Sequence, residues 1–290
     1  MFRKVLIPLD GSELAESVID SLERILQDVE GAKATLLYVS DPDAPDLPPE
    51  VSSEGSLRRV SARLREWGLS VETLRESGDP ATEILEAAER VGPDLIAMAS
   101  HGRTGLERLV RGSVAERVLR QAGAPLLLVN PGSEERSEDT AFRRILVPLD
   151  GSPLADAVLP FVIALARSVG SEVTLLRVES LEPYISDPLA GMPFVEPTLW
   201  NPQAVSETLA PQLDRLLEAK VDAKIEARIG DAAGEIATLA QDYDLVALSS
   251  HGRSGVSRWW FGSVAEQVLR IVSRPVFLVR GKPKSAKSGL

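Results

Sequence analysis

Short apolar runs alternate along the chain with longer stretches in which apolar residues recur every three or four positions. VLIPL at 5–9, TLLYV at 35–39 and LLLV at 126–129 carry almost no polar alternation. That is the pattern of strands buried on both faces, as in a parallel sheet covered by helices. Between such runs, spacings such as Leu14, Val18, Leu22 and Ile25 line one face of a helix. The alternation predicts β–α–β–α–β–α–β–α–β, and then the same order again. Each copy is expected to be a doubly wound α/β unit: a five-stranded, mostly parallel sheet with four helices and right-handed crossovers. Ligands of such sheets bind outside the carboxyl ends of the strands.

The repeat is explicit in the residues. KVLIPLDGS at 4–12 returns as RILVPLDGS at 144–152, and SGDPATEIL at 77–85 as IGDAAGEIA at 229–237. DLIAMASHGRTGLERLVRGSVAERVLR at 94–120 returns as DLVALSSHGRSGVSRWWFGSVAEQVLR at 244–270. Asp10 and Asp150 lie 140 positions apart, whereas Gly112 and Gly262 lie 150 apart. The ten extra residues are therefore assigned to the segment after the second strand of the second copy, LEPYISDPLAGMPFVEPTLWNPQ. The expected division is a first domain over 1–131, a polar linker over 132–142, a second domain over 143–281 and a disordered tail over 282–290. The last strands, Pro125–Val129 and Pro275–Val279, are apolar and lack polar edge protection. Each needs a partner, so the halves are expected to pair through them as a pseudo-dimer; a homodimer of whole chains is also allowed.

Composition narrows the function classes. The chain has 290 residues and no cysteine, which excludes disulfides and cysteine-ligated metal centres. Its opening, MFRKVLIPLDGSEL, reads as a first strand and not as a leader, and no stretch approaches a membrane span. The cytoplasm is the expected location. A net charge of −11 opposes nucleic-acid and anionic-lipid partners at long range, so neither nucleic acid nor membrane is expected. A small anionic ligand remains compatible, because local arginines and backbone amides outweigh a distant field.

Three clusters fall at the expected strand ends. Asp10-Gly11-Ser12 and Asp150-Gly151-Ser152 follow the first strand of each copy. Ser12 and Ser152 suit a helix N-cap, and Pro153 the first helical position. The aspartates fit either that turn or a hydrogen bond to a ribose or base. Ser100-His101-Gly102-Arg103 and Ser250-His251-Gly252-Arg253 follow the fourth strands and contain the only two histidines. One histidine per copy does not make a metal site from protein ligands alone. Gly112-Ser113-Val114-Ala115-Glu116 and Gly262 through Glu266 open the fourth helices. Ser113 and Glu116 have the spacing of a capping box, which needs no ligand. A glycine before a helix N-terminus also presents amides and partial positive charge to a phosphate, with Arg103 and Arg111 adding charge.

Strand 1 ending in Pro-x-Asp, followed later by SHGRTG and GSVAERVL, resembles the universal stress protein family, once in each half. ATP-binding members carry Gly-x2-Gly-x9-Gly-[Ser/Thr]; here it reads Ala99-x2-Gly102-x9-Gly112-Ser113 and Ser249-x2-Gly252-x9-Gly262-Ser263. The first glycine is replaced in both copies, and the Ser249 hydroxyl is a candidate phosphate donor. The resemblance implies a Rossmann-like fold of the adenine-nucleotide α-hydrolase kind and a nucleotide site in each half. In the first half that site would comprise Pro8, Asp10, Val39, Met98, Ala99, His101, Gly102, Arg103, Gly112, Ser113 and Val114. In the second it would comprise Pro148, Asp150, Val178, Leu248, Ser249, His251, Gly252, Arg253, Gly262, Ser263 and Val264. Asp10 and Asp150 would meet the adenine or ribose, Val39 and Val178 would line the adenine pocket, and the glycines and serines would hold ribose and phosphates. The implied ligand is ATP, AMP or ADP, with Mg2+ as a possible companion.

The implied function is a nucleotide-binding stress-response regulator without committed catalysis. A slow ATPase and a nucleotide-free dimerisation scaffold are the alternatives. No G-x4-G-K-[ST] loop is present, and the candidate bases lack the paired arrangement of a hydrolase or kinase. Arg258-Trp259-Trp260-Phe261 replaces Arg108-Leu109-Val110-Arg111 of the first copy. Three successive aromatics cannot all point inward from a loop, so at least one is expected to cover the 181–203 insertion or an interface.

Overall fold

A computed structural model describes residues 2–26, 29–40, 53–100, 113–130, 142–180, 201–250 and 262–281. The first half runs β1 (Lys4–Leu9), α1 (Glu13–Leu26), β2 (Lys33–Ser40), α2 (Ser53–Glu66), β3 (Ser70–Ser77), α3 (Pro80–Val91), β4 (Leu95–Ala99), α4 (Ser113–Gln121) and β5 (Leu126–Val129). That is the expected order. The second half begins with β6 (Arg144–Pro148), a short 3-10 turn (Ala155–Val158), α5 (Leu159–Val169) and β7 (Glu172–Glu179). It continues with α6 (Pro202–Glu207), α7 (Ala210–Glu218), β8 (Ala223–Ile229), α8 (Ala232–Ala240), β9 (Leu245–Ser249), α9 (Ser263–Ile271) and β10 (Val276–Val279).

The second half departs from four helices in two places. Where α2 is one helix, α6 and α7 are two. The connection before them spans 180–201, against 41–52 in the first half, which puts the ten extra residues after the second strand as expected. Where α1 starts directly after its turn, the second half opens with the 3-10 turn. Pro160 has no N–H to return to Asp156, so the first turn tightens to 3-10 and the α-helix starts at Leu159.

The ten strands form one sheet in the order β3-β2-β1-β4-β5-β10-β9-β6-β7-β8. Each half is parallel throughout, and β5 meets β10 antiparallel in the centre, with Leu127 opposite Phe277. The two apolar strands that lack edge protection thus cover each other. The outer strands β3 and β8 are half-exposed and charged, with Lys33 paired to Glu72 at 2.6 Å and Lys224 to Glu172 at 2.5 Å. Those charges discourage further strand addition.

Each face of the sheet carries an apolar cluster containing residues from both halves. On one face Val18, Leu22 and Ile25 of α1 are buried, the predicted helical stripe. Burying each such side chain contributes about 1.5–3 kcal/mol. At the junction Phe277 packs edge-on against Phe2 at 5.7 Å and tilted against Phe161 at 6.1 Å. Phe142, the last residue of the expected linker, is fully buried, and its carbonyl accepts from the Ser171 hydroxyl at 2.5 Å. It belongs to the apolar cluster that also holds Phe2 and Ile145; a phenyl group adjoining a strand gains more from burial than a linker position allows. Asn130, at the end of β5, donates through Nδ2 to the carbonyls of Val272 and Arg274 at 2.6 and 3.3 Å, tying the first half to the end of α9.

Candidate functional site

The chain reverses direction at the carboxyl ends of β1 and β6 through the same turn. Asp10 Oδ1 accepts from the Ser12 amide at 2.9 Å and the Ser12 hydroxyl at 2.6 Å, and the Ser12 hydroxyl oxygen accepts from the Ala15 amide at 3.1 Å. Asp150 Oδ1 accepts from the Ser152 amide at 2.9 Å, and Ser152 Oγ from the Ala155 amide at 3.1 Å. Gly11 and Gly151 sit at φ +84° and +74°, a conformation that favours glycine. Ser12 caps α1 as expected, whereas the 3-10 turn starts at Ala155 with Leu154 as its N-cap, so Ser152 only holds the turn and Pro153 is not the first helical residue. One oxygen of each aspartate is committed to the turn, so Asp10 and Asp150 are first of all structural acceptors that fix the floor of the cleft.

In the first half, Pro8 and Asp10 end β1, Val39 lies near the end of β2, Met98 and Ala99 end β4, and Ser113 and Val114 open α4. Because the sheet order is β2-β1-β4, these ends are neighbours. Val39, Met98 and Ala115 belong to one apolar cluster, with Val114 packed on it. His101, Gly102, Arg103, Arg111 and Gly112 lie outside the described residues, as do His251, Gly252, Arg253, the 258–261 aromatic run and the insertion over 181–200.

In the second half the strand ends line an open cleft of about 220 Å³. Pro148, Asp150, Val178, Leu248, Ser249, Gly262, Ser263 and Val264 all line it, so every expected second-half site residue that is described converges there. Leu176, Val178, Ile236 and Val268 form an apolar wall, while Asp150, Ser250, Gly262 and Ser263 supply the polar rim. Ala155, Ala232 and Ile236 also line the cavity and were not anticipated. The signal for Ala232 and Ile236 is the Gly-Asp pair shared by both copies, and that for Ala155 is the Asp-Gly-Ser turn before it. Gly230 at φ +146° turns the chain out of β8, and Asp231 Oδ2 accepts from the Gly234 amide at 2.7 Å, which aims the start of α8 at the cleft.

The start of α9 differs from the capping-box expectation. Gly262 is the N-cap, at φ −66° and ψ 139°, and no side chain caps the helix. Ser263 is therefore the first helical residue, one position too late to act as the cap. Glu266 accepts from Arg270 Nη2 at 2.8 Å, and Glu116 likewise from Arg120 at 2.5 Å. Gly262 donates its amide to the Ser250 carbonyl at 2.9 Å, and Glu266 donates to the Gly262 carbonyl at 3.0 Å. The amides of Ser263, Val264 and Ala265 have no acceptor among the described residues. Such first-turn amides carry the partial positive charge of the helix and suit an anion.

Ser249 and Ala99 occupy the position of the family's first motif glycine. Ser249 is the last residue of β9 and is 8% exposed. Its Oγ is buried without a hydrogen-bond partner among the described residues and packs toward Gly281. Its hydroxyl therefore does not fill the cavity, and the replacement of glycine leaves the cleft open. Among the described residues no cluster of His, Cys, Asp and Glu is able to hold a metal, and no helix is long and apolar enough to cross a membrane.

Two doubly wound α/β units sharing one sheet, with a cleft at the carboxyl edge facing a helix N-terminus, define the class of protein to which this chain belongs. The universal stress protein family profile matches residues 1–130 and again 141–280. The chain is a member of that family, with two repeats. A universal stress protein of Methanocaldococcus jannaschii is 36% identical over 147 residues, spanning 47% of this chain and 86% of that protein. One from Mycobacterium bovis is 25% identical over 212 residues, spanning 73% of this chain and 70% of its own length. The crystal structure of a universal stress protein from Archaeoglobus fulgidus has the same fold, with a TM-score of 0.69, 23% identity and 97% of each chain covered.

Proposed function

We propose that this protein is a cytoplasmic, adenine-nucleotide-binding regulator of the stress response that acts without committed catalysis. The observation that carries the reading is the second-half cavity, where an apolar wall of base-binding character faces the uncapped start of α9. An adenine ring fits against Leu176, Val178 and Ile236, and the ribose lies near Asp150. The phosphates lie on the amides of Ser263, Val264 and Ala265, where a helix N-terminus favours negative charge. ATP is the proposed ligand, with ADP or AMP as its shorter forms and Mg2+ held through the phosphates. The first half offers the matching strand ends, so a second site is proposed there.

Chromatography of nucleotide released from protein purified without supplement tests the reading. Bound ATP supports the regulator. ADP released steadily from added ATP supports slow hydrolysis instead. Protein that carries no nucleotide, and shows no heat with ATP, ADP or AMP, is a scaffold, and the proposal fails.

A further inference from the structure

The two repeats tie their paired helices together at opposite ends. In the first half the Arg117 side chain of α4 reaches the start of α3. Its Nη1 donates to both carboxylate oxygens of Asp79, at 2.7 and 2.6 Å, and its Nη2 donates to the Thr82 hydroxyl oxygen at 3.0 Å. That hydroxyl donates in turn to Asp79 at 2.7 Å. Asp79 is thus the N-cap of α3 and the anchor of α4 at once. In the second half the matching residues are Asp231, Gly234 and Gln267. Asp231 still caps α8 through the Gly234 amide, but Gln267 is exposed and among the described residues does not reach it. There the tie lies at the other end of the helices. Arg274 Nη2, just past α9, donates to the Gln241 carbonyl, just past α8, at 3.0 Å. Ala124 holds the place of Arg274 in the first half and offers no such donor.

The difference matters because the second cleft runs beneath its helix pair. Ala232 and Ile236 line it from α8, and Val264, Ala265 and Val268 line it from α9. All four helices of these pairs start at the carboxyl ends of the strands, where the clefts lie. In the first half Ile84 and Val118 take the places of Ile236 and Val268 and are buried. Thr82 and Arg117 stand beside them on the outer side, with Arg117 44% exposed. The Asp79–Thr82–Arg117 clasp therefore closes the roof of the first-half cleft, whereas α8 and α9 are pinned away from their cleft and unjoined above it. We propose that Arg117 is a positioning residue that sets how the two sites exchange ligand: the clasped first half retains its nucleotide, and the unclasped second half exchanges with solution. This rests on the reading of both clefts as nucleotide sites. An arginine fork on a carboxylate fixes direction as well as distance, which a glutamine at the same place does not. Entry and release both require α3 and α4 to part at their starts, and the clasp resists that opening whether the cleft is filled or empty. It therefore slows both rates and leaves the affinity as it was.

The test uses full-length protein with one site blocked at a time, Gly262→Glu leaving the first half and Gly112→Glu the second. Entry and release of the fluorescent N-methylanthraniloyl derivative of ADP are followed by stopped flow, with unlabelled ADP as the chase, and affinity is measured at equilibrium. Thermal unfolding without ligand checks that each variant is folded. In the first-half protein, Arg117→Gln is expected to speed entry and release together by about two- to fivefold, the range of a well-formed surface ion pair, with the affinity unchanged. In the second-half protein, Gln267→Arg places a guanidinium opposite Asp231 and is expected to slow both rates by a similar factor. A residue that touches the ligand would change affinity through release alone, and one that only supports the fold would lower Tm without moving the two rates in step. Unchanged rates in a folded Arg117→Gln protein overturn the proposal while leaving the nucleotide site intact. A lost affinity with an unchanged entry rate does so too, by making Arg117 a direct contact. If the Gly262→Glu protein binds no labelled ADP, the first-half site itself fails, and the proposal with it.

Discussion

Gly262→Glu is the most direct perturbation of the second cleft. Gly262 has an extended backbone conformation, φ −66° and ψ 139°, that any residue adopts, so the substitution imposes no backbone strain. It adds a carboxylate at the N-cap, against the amides proposed to hold phosphate. At about 4 Å and an effective dielectric near 20, one unit charge repels another by about 4 kcal/mol. That corresponds to roughly a thousandfold loss of affinity for each phosphate charge met at that distance. The carboxylate also competes for the same amides as an intramolecular anion, and acidic groups near a helix start are favourable by about 0.3–1 kcal/mol. Stability should therefore hold or rise slightly while binding at the second half disappears. Calorimetric titration with ATP, with the urea unfolding midpoint measured in parallel, reads both effects. Unchanged stoichiometry and affinity in a folded Gly262→Glu protein would refute the assignment of phosphate to the α9 N-terminus.

The two halves should also bind unequally. Arg111 precedes the α4 start where Phe261 precedes α9, and a lost charged contact weakens the second site by about 1–3 kcal/mol, or tens-fold. Removal of the tighter calorimetric event by Gly262→Glu, with Gly112→Glu leaving it intact, would reverse that order. Asp79 caps α3, with its carboxyl held below the usual range by the Thr82 hydroxyl, the Thr82 amide and Arg117. A lowered folded pKa stabilises above the unfolded carboxylate pKa, about 3.9, and that stabilisation is lost as pH falls through the folded value. Asp79→Ala should thus cost about 1 kcal/mol at neutral pH, and urea midpoints should converge with wild type as pH drops below about 4; a gap independent of pH would contradict it. Phe277→Ala empties the centre of the shared sheet and should cost about 3–5 kcal/mol. A cycle with Phe2→Ala should return a coupling of about 0.5–1.5 kcal/mol. A loss under about 1 kcal/mol would mean the halves do not depend on that contact.

The repeat, the strand–helix alternation and the gathering of the candidate residues at the strand ends were all legible in the residues themselves. Apolar runs such as VLIPL have one stable environment, the middle of a covered parallel sheet, and the Asp-Gly-Ser turn follows from a glycine that reaches positive φ. The unprotected last strands likewise called for a partner, and each found the other. Local spacing could not fix the frame of α9. Whether Ser263 caps or begins the helix depends on the Gly262 amide reaching the Ser250 carbonyl, a contact made by the sheet and not by the motif. The broken opening of the second half was carried by Pro160, a residue whose effect shows only once its missing N–H has an assigned acceptor. Phe142 looked like linker because its neighbours are polar, yet the core beside β6 takes it in. The burial of the Ser249 hydroxyl is decided furthest from its own sequence. It depends on Gly281 and Leu154, which the doubly wound sheet brings against β9 from opposite ends of the second half. Side-chain accessibility depends on everything packed around a residue, whereas periodicity registers only its neighbours along the chain.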